Sequence, residues 1–229
     1  MQEREIVINP DETVSVIRRE VIKTISLPEY LDTLRAGEFI TPILPYGTIQ
    51  AMFKSGGLRK AFVIQVEPLQ QEITLEAHES TPNGRTTGYR KFKLWIPWVI
   101  YGIKFAGNTC ENVWVRFART RILKPDDTLY YPPMSNISLD GKVCMGNSIG
   151  EVINKEKTVE DKAVVAVHDF WTSSFVDDST PDEKAIPDLI WGRDFLHIYE
   201  RWEDLGEEAL MMRWKEAETY ETYTKRLFT

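Results

Sequence analysis

The sequence is poor in the residues that most often announce a function. It has two cysteines and three histidines in 229 residues, too few for a disulfide framework. Neither a Cys-x-x-Cys nor a His-x-x-His pair occurs, so no metal site and no zinc are expected. There is no Gly-x-x-x-x-Gly-Lys-Ser/Thr loop and no Gly-x-Gly-x-x-Gly, so nucleotide binding has no support and no cofactor is expected. No Lys/Arg-rich run is present, and 28 basic against 35 acidic residues give a net charge of −7. That balance lacks the phosphate-neutralising footprint of a nucleic-acid binder. The most apolar stretch, Leu94 to Ile103, is broken by Pro97 and Gly102, well short of the ~18 residues of a membrane span. The start, Met1-Gln-Glu-Arg-Glu5, is charged and precedes only Ile6-Val-Ile8, which is not the pattern of a signal peptide. The expectation is an acidic cytoplasmic protein with no membrane or nucleic-acid partner.

What is abundant is core material: 42% of residues are hydrophobic, with 7 Trp, 10 Phe and 9 Tyr. Val14 to Ile17 and Val21 to Ile25 are β-branched runs, and Glu29 to Leu34 suits one helical turn before Gly37. Ala61 to Val66 and Glu72 to Glu76 read as strands, and Ser80 to Gly88 reads as a linker or hairpin loop. Phe92 to Tyr101 and Val113 to Ala118 predict neighbouring antiparallel strands joined through Gly107-Asn108. Lys124 to Pro133 is irregular because its prolines exclude regular structure. From 158 to about 175 the pattern turns helical, with Thr158 and Asp161 as a capping box and Val164, Val167, Trp171 and Phe175 on one face. A last amphipathic pattern runs from Glu207 to about Leu227. Strands followed by a proline-rich crossover and then helices predict an α+β fold: an antiparallel β-meander with C-terminal helices. The chain divides into an N-terminal β-rich region, 1–85, and a main domain, 86–229.

Chemistry concentrates in Pro132-Pro-Met-Ser-Asn136-Ile-Ser-Leu-Asp140-Gly-Lys-Val-Cys144-Met-Gly-Asn147. A turn at Asp140-Gly141 brings Asn136 back towards Cys144. A cysteine is a strong nucleophile, and an Asn amide donates to a developing oxyanion; acyl transfer from an activated donor needs little more. A cysteine taken alone is more often a buried structural thiol, and Asn136 suits a turn former that closes on its own backbone equally well. Cys110 is expected to be an exposed bystander at a hairpin tip. His168 is expected to be a half-buried helix residue rather than a partner for Cys144.

The segment resembles the active-site stretch of ubiquitin-conjugating enzymes, in which an Asn precedes a Gly-x-Val/Ile-Cys by eight residues after a proline-rich crossover. It is more similar still to the bacterial branch called PRTRC-system protein B. The matching features are Thr128-Leu-Tyr-Tyr131, Pro133, Asn136, Gly141 to Asn147, Phe170-Trp-Thr-Ser-Ser-Phe175 and Trp95-Ile96-Pro97. Met134-Ser135 stands where the eukaryotic enzymes carry His-Pro. The resemblance, over about 90 to 195, implies a ubiquitin-conjugating-enzyme-like fold with an N-terminal β-rich extension. It implies a thioester on Cys144, an oxyanion donor in Asn136, and an acidic residue near the site mouth that orients the incoming amine, Asp177 or Asp178. The partners it implies are a ThiF-type activating enzyme, a ubiquitin-like protein and a metal-dependent isopeptidase. The competing reading is a non-catalytic interaction scaffold of a plasmid- or phage-type gene cassette, with Cys144 structural.

Overall fold

The computed structural model describes the backbone of residues 5–8, 13–17, 21–26, 44–54, 59–81, 84–177 and 180–228. The helical turn expected at 29–34 lies outside the described residues. The chain forms two compact units, 1–43 and 44–229. The first holds an antiparallel sheet of β1 (Glu5–Ile8), β2 (Thr13–Ile17) and β3 (Val21–Ser26), in that order. The expected boundary at 85/86 falls within a strand of the second unit instead, because residues 59–81 pair with those that follow.

The second unit is α+β. Its strands are β4 (Thr48–Lys54), β5 (Arg59–Val66), β6 (Leu69–Thr81), β7 (Gly84–Ile96), β8 (Trp98–Ala106), β9 (Thr109–Ala118) and β10 (Thr128–Tyr130). After them come α1 (Ser148–Glu151), α2 (Val159–Thr172), β11 (Phe175–Val176), α3 (Phe195–Leu205), β12 (Glu216–Thr219) and α4 (Tyr220–Phe228). One sheet has the order β12-β10-β9-β8-β5-β4, and a second has the order β11-β6-β7.

Two prolines curl this sheet. β5 pairs with β8 down to Val66 opposite Val99, and β6 takes up the same register with β7 from Leu69 opposite Ile96. Pro68 therefore falls opposite Pro97, where neither residue has an N–H for the ladder. One long antiparallel ribbon is thus interrupted at matched positions on both strands and continues as the second sheet. The stretch 92–101, expected as one strand, is divided at Pro97 for this reason. The turn-forming stretch 80–88 is mostly strand, with β6 reaching Thr81 and β7 resuming at Gly84.

The six-stranded sheet is covered on both faces, which explains its unbroken apolar runs. Phe62, Tyr101, Ile103, Val115 and Phe117 pack under α2 and α3, while Val63, Ile100, Trp114 and Leu129 pack with Tyr223 and Leu227 of α4. Gly102 lets α4 approach: a Cβ there would lie 2.6 Å from the Tyr223 hydroxyl and 2.7 Å from Leu227. On the other face, Phe117, Trp202, Trp214, Tyr199 and Phe92 meet in edge-to-face contacts with centroids 5.1 to 6.4 Å apart.

The helical expectations are partly met. The Thr158 side chain caps α2 by accepting from the Asp161 N–H, as the capping box requires. Its buried face, however, carries Val159, Ala163, Ala166 and Phe170 beside Trp171, while Val164 is exposed and Phe175 has passed into β11. The two alanines admit the helix close to the sheet, so packing rather than the valine stripe sets its rotation. His168 is exposed rather than half-buried. The pattern at 207–227 is not one helix: a 3-10 turn spans Gly206–Met211, and then β12 and α4 follow. Gly206, at φ +54°, ends α3, and pairing with β10 draws Glu216–Thr219 into the sheet.

A buried ion pair closes the structure. Arg116 of β9 donates through Nε to Glu218 Oε1 at 2.9 Å and through Nη2 to the Leu139 carbonyl at 2.8 Å. Arg226 of α4 donates to the same Glu218 oxygen at 2.6 Å, and Tyr131 lies under the Arg116 guanidinium, 5.1 Å away. Arg116 is 2% and Glu218 11% exposed, so removing one partner strands charge away from water. Glu218→Ala is expected to lower unfolding stability by about 3–5 kcal/mol. Urea unfolding followed by Trp fluorescence measures this; a loss of about 0.5 kcal/mol or less, as for a surface pair, would refute the buried-charge account.

Candidate active site

The site is built on the arm that follows β10. Pro132 and Pro133 keep the chain extended, and the arm then folds back on itself with Ile137 bridged to Val143. The turn between them is closed by Gly141 N–H to the Ser138 carbonyl, 2.7 Å, and Ser138 N–H to the Lys142 carbonyl, 3.0 Å. Gly141 has φ +85°, and a Cβ there would lie 2.4 Å from Arg116 Nη1 and 2.9 Å from the Val115 carbonyl. Only glycine serves both the turn and the buried arginine. Val115 N–H donates to Gly141 and Val143 N–H to Val113, so the returning limb pairs with β9 and inherits its rigidity.

Asp140 organises the same turn. Burial opposes its charge, but the Ser138 hydroxyl, the Lys142 N–H (3.2 Å), Arg226 and Arg116 outweigh that and hold its carboxyl below the usual carboxylate range.

The turn brings Asn136 and Cys144 together: Cys144 N–H donates to the Asn136 carbonyl at 2.8 Å. The Asn136 side chain faces a third segment. Its Nδ2 donates to the Ser174 carbonyl at 3.2 Å, and its Oδ1 accepts from Val176 N–H at 3.1 Å. The amide thus extends β11, which itself pairs in parallel with β6, and it does not close on its own loop. One Nδ2 hydrogen goes to Ser174, and an amide carries two.

The two cysteines lie in opposite environments. Cys144 is exposed. Cys110 is buried, not an exposed tip residue: its N–H and carbonyl are both taken by the Asn154 side chain, at 2.8 and 3.1 Å. Burial pushes the Cys110 thiol up to about 12. The tip of the β8–β9 hairpin folds under the segment carrying Asn154 and under Lys162 of α2, whose Nζ reaches the Asn108 carbonyl. No local pattern announces that cover.

Two clefts meet at Cys144 and Asn136, and Ser135 borders both. The larger, about 550 Å³, has a buried apolar floor that includes Met134, Val143, Ile186 and Phe195. The smaller, about 240 Å³, is lined on its far side by Gly146, Ser173, Ser174 and Val176. His168 lines neither.

Asp177 sits one residue beyond β11. Its N–H donates to the Glu76 carbonyl at 3.0 Å, and its Oδ1 accepts the Phe195 N–H at 3.0 Å, at the start of α3. The carboxylate that lines the larger cleft is Asp182; Asp178 lies outside the described residues.

Two supporting residues carried a faint sequence signal. Arg116 is the lone charge in Val113-Trp-Val-Arg116-Phe-Ala118. Tyr199 belongs to Phe195, Ile198, Tyr199 and Trp202, spaced as a helix face behind the Asp194 cap, and its buried hydroxyl accepts the Ser135 N–H at 3.4 Å. Burial raises that phenol far above its ordinary range.

Among the described residues no helix is long and apolar enough to cross a membrane. Residues 57–213 match the sequence model of a family described as prokaryotic E2 family D. No curated protein and no solved structure matches.

Two outcomes test the site's geometry. An aromatic disulfide reagent at pH 8 should titrate one thiol in the native protein, none in Cys144→Ala, and two in the wild type after denaturation. A native Cys144→Ala protein that still reacts would show Cys110 to be open. The folded carboxyl of Asp140 titrates below its unfolded value, so it stabilises the turn above the ordinary carboxylate range, and that contribution is lost as pH falls through the folded value. Between pH 6 and about pH 3 the wild type should therefore lose more stability than Asp140→Asn, measured by urea midpoints.

Proposed function

The chain belongs to prokaryotic E2 family D, and on that basis we propose that it accepts a ubiquitin-like protein as a thioester on Cys144 and passes it to an amine. The observation that carries this reading is an exposed thiol tied through the backbone to Asn136 where two clefts meet. A structural cysteine has no need of exposure or of two open approaches.

In the first step the Cys144 thiolate attacks the carbonyl carbon of a carrier thioester on an activating enzyme. The new S–C bond forms, the old one breaks, and the departing thiolate takes up the proton that Cys144 released. In the second step an amine attacks the same carbon. The C–N bond forms, the C–S bond breaks, and the ammonium proton goes to the leaving Cys144 sulfur or to water. Negative charge builds on the carbonyl oxygen in between. The second Nδ2 hydrogen of Asn136 is the group suited to receive it, its amide already held by Ser174 and Val176. Asp177 enters as a positioning residue: its hydrogen bond to Phe195 links the start of α3 to the strand that Asn136 grips.

The run Thr128 to Tyr131, Pro133, Asn136 and Gly141 to Asn147 resembles that of PRTRC-system protein B. This supports a ThiF-type activating enzyme and a ubiquitin-like protein as partners. The second reading, a scaffold, draws on one observation: both ends of the Asn136 amide are already engaged in holding β11, as a purely structural Asn would be.

Intact mass after co-expression with the neighbouring genes decides between them. Wild type should carry a protein-sized adduct removed by thiols, Cys144→Ser a thiol-resistant one, and Cys144→Ala none. No adduct on any form, with the activating enzyme shown to be charged, supports the scaffold. Asn136→Asp keeps the acceptor for Val176 and loses the donor; it should still charge but discharge to amines about 100- to 1,000-fold more slowly. Equal discharge would remove Asn136 from the chemistry.

A further inference from the structure

The larger cleft is more than a path to the thiol. Its floor of Met134, Val143, Ile186 and Phe195 is buried and apolar, and its volume of about 550 Å³ lies within the ~300–1,000 Å³ of pockets that hold a ligand's side groups. Leu139 stands at the lip, 39% exposed, on the turn that Arg116 fixes through the Leu139 carbonyl. The lining also carries exposed polar residues, among them Lys142, Thr180 and Asp182. The cleft runs without a break to Cys144 and Asn136. Whatever acyl group sits on the thiol therefore has an apolar chamber beside it.

A tail ending in two glycines brings no side chain to this chamber and leaves its floor wet. Apolar surface in contact with water is the cost that binding a matching group removes. A fatty-acyl chain would also find apolar walls, but it would leave these polar residues without hydrogen-bond partners, whereas a peptide backbone supplies donors and acceptors there. Resting on the thioester reading above, we infer that the cleft is a specificity pocket for the donor. It selects a protein or peptide tail with a bulky apolar residue, of the Leu or Phe kind, at one of its last two positions.

The reaction used to test this is the first step alone. The Cys144 sulfur displaces a small thiol from a synthetic peptide thioester, one C–S bond forming as the other breaks and the leaving thiolate taking the proton. Full-length protein is mixed with ten-residue peptide thioesters of mercaptoethanesulfonate that end in Gly-Gly, Leu-Gly or Gly-Leu, and with a decanoyl thioester of the same thiol. Charging of Cys144 is followed by intact mass, with Cys144→Ala as the blank. The expected result is that a leucine-bearing peptide charges Cys144 about 10- to 100-fold faster than Gly-Gly, the discrimination one buried apolar side chain supplies. Ala185→Phe, which fills the cleft from its wall, should abolish that preference while Gly-Gly charging persists. Leu139→Glu, at a lip position 39% exposed, should reduce it.

Equal rates for all peptides, or a preference untouched by both variants, would overturn the pocket and leave the thioester reading standing. A decanoyl donor faster than every peptide would overturn the peptide occupant. No charging by any donor, with the thiol shown reactive by alkylation, would overturn the thioester reading and the pocket with it.

Discussion

The Arg116 guanidinium is the interaction on which the other parts depend. It lies inside a sheet that is apolar on both faces, where an unpaired charge is very costly. Its partners come from distant parts of the sequence: Glu218 on β12, the Leu139 carbonyl on the arm and the ring of Tyr131. Each contact fixes the position of a different segment, so satisfying one charge sets where the site arm and the C-terminal elements must lie. Gly141 is the counterpart of that constraint, since any side chain there would occupy the space of the guanidinium. The turn that returns the chain to Cys144 is therefore held from below by β9 and from outside by Asp140.

Around this centre the sheet is shaped by a matched pair of prolines. Pro68 opposite Pro97 interrupts the ladder on both strands at once, which lets β6 and β7 continue in the same register as a separate sheet. That second sheet receives β11 along β6; Asn136 binds β11, and Asp177, the residue beyond it, accepts from the start of α3. The curl of the ribbon is thus part of the site's construction: without it, the segment that holds the Asn136 amide would have no sheet edge to join.

The site itself asks little of its side chains. The two clefts at the thiol differ in character: the larger has an apolar floor, and the smaller is lined by Ser135, Ser173 and Ser174. On the proposed thioester reading, such a centre relies on accessibility and positioning, with the Asn136 amide as the group for the developing charge. A non-catalytic scaffold would account for the Asn136 hydrogen bonds, but not for a thiol left open between two clefts.

Local chemistry was legible in the residues. The antiparallel meander, the Gly107 turn, the Thr158 cap and the return at Asp140-Gly141 each follow from interactions within a few positions, and the structure has them. The α+β order followed from strands preceding helices. Tertiary structure alone decided what depends on cover by distant segments. Cys110 reads as a hairpin tip and is buried because Asn154 and Lys162 close over it, whereas Cys144 is exposed. The pattern at 207–227 reads as one helix and is broken because β10 draws Glu216–Thr219 into the sheet. Likewise the Asp177 carboxylate accepts the N–H of Phe195, 18 positions away. Burial and pairing across such separations depend on packing energies that no short window of sequence contains, whereas turns and caps are settled by the residues that form them.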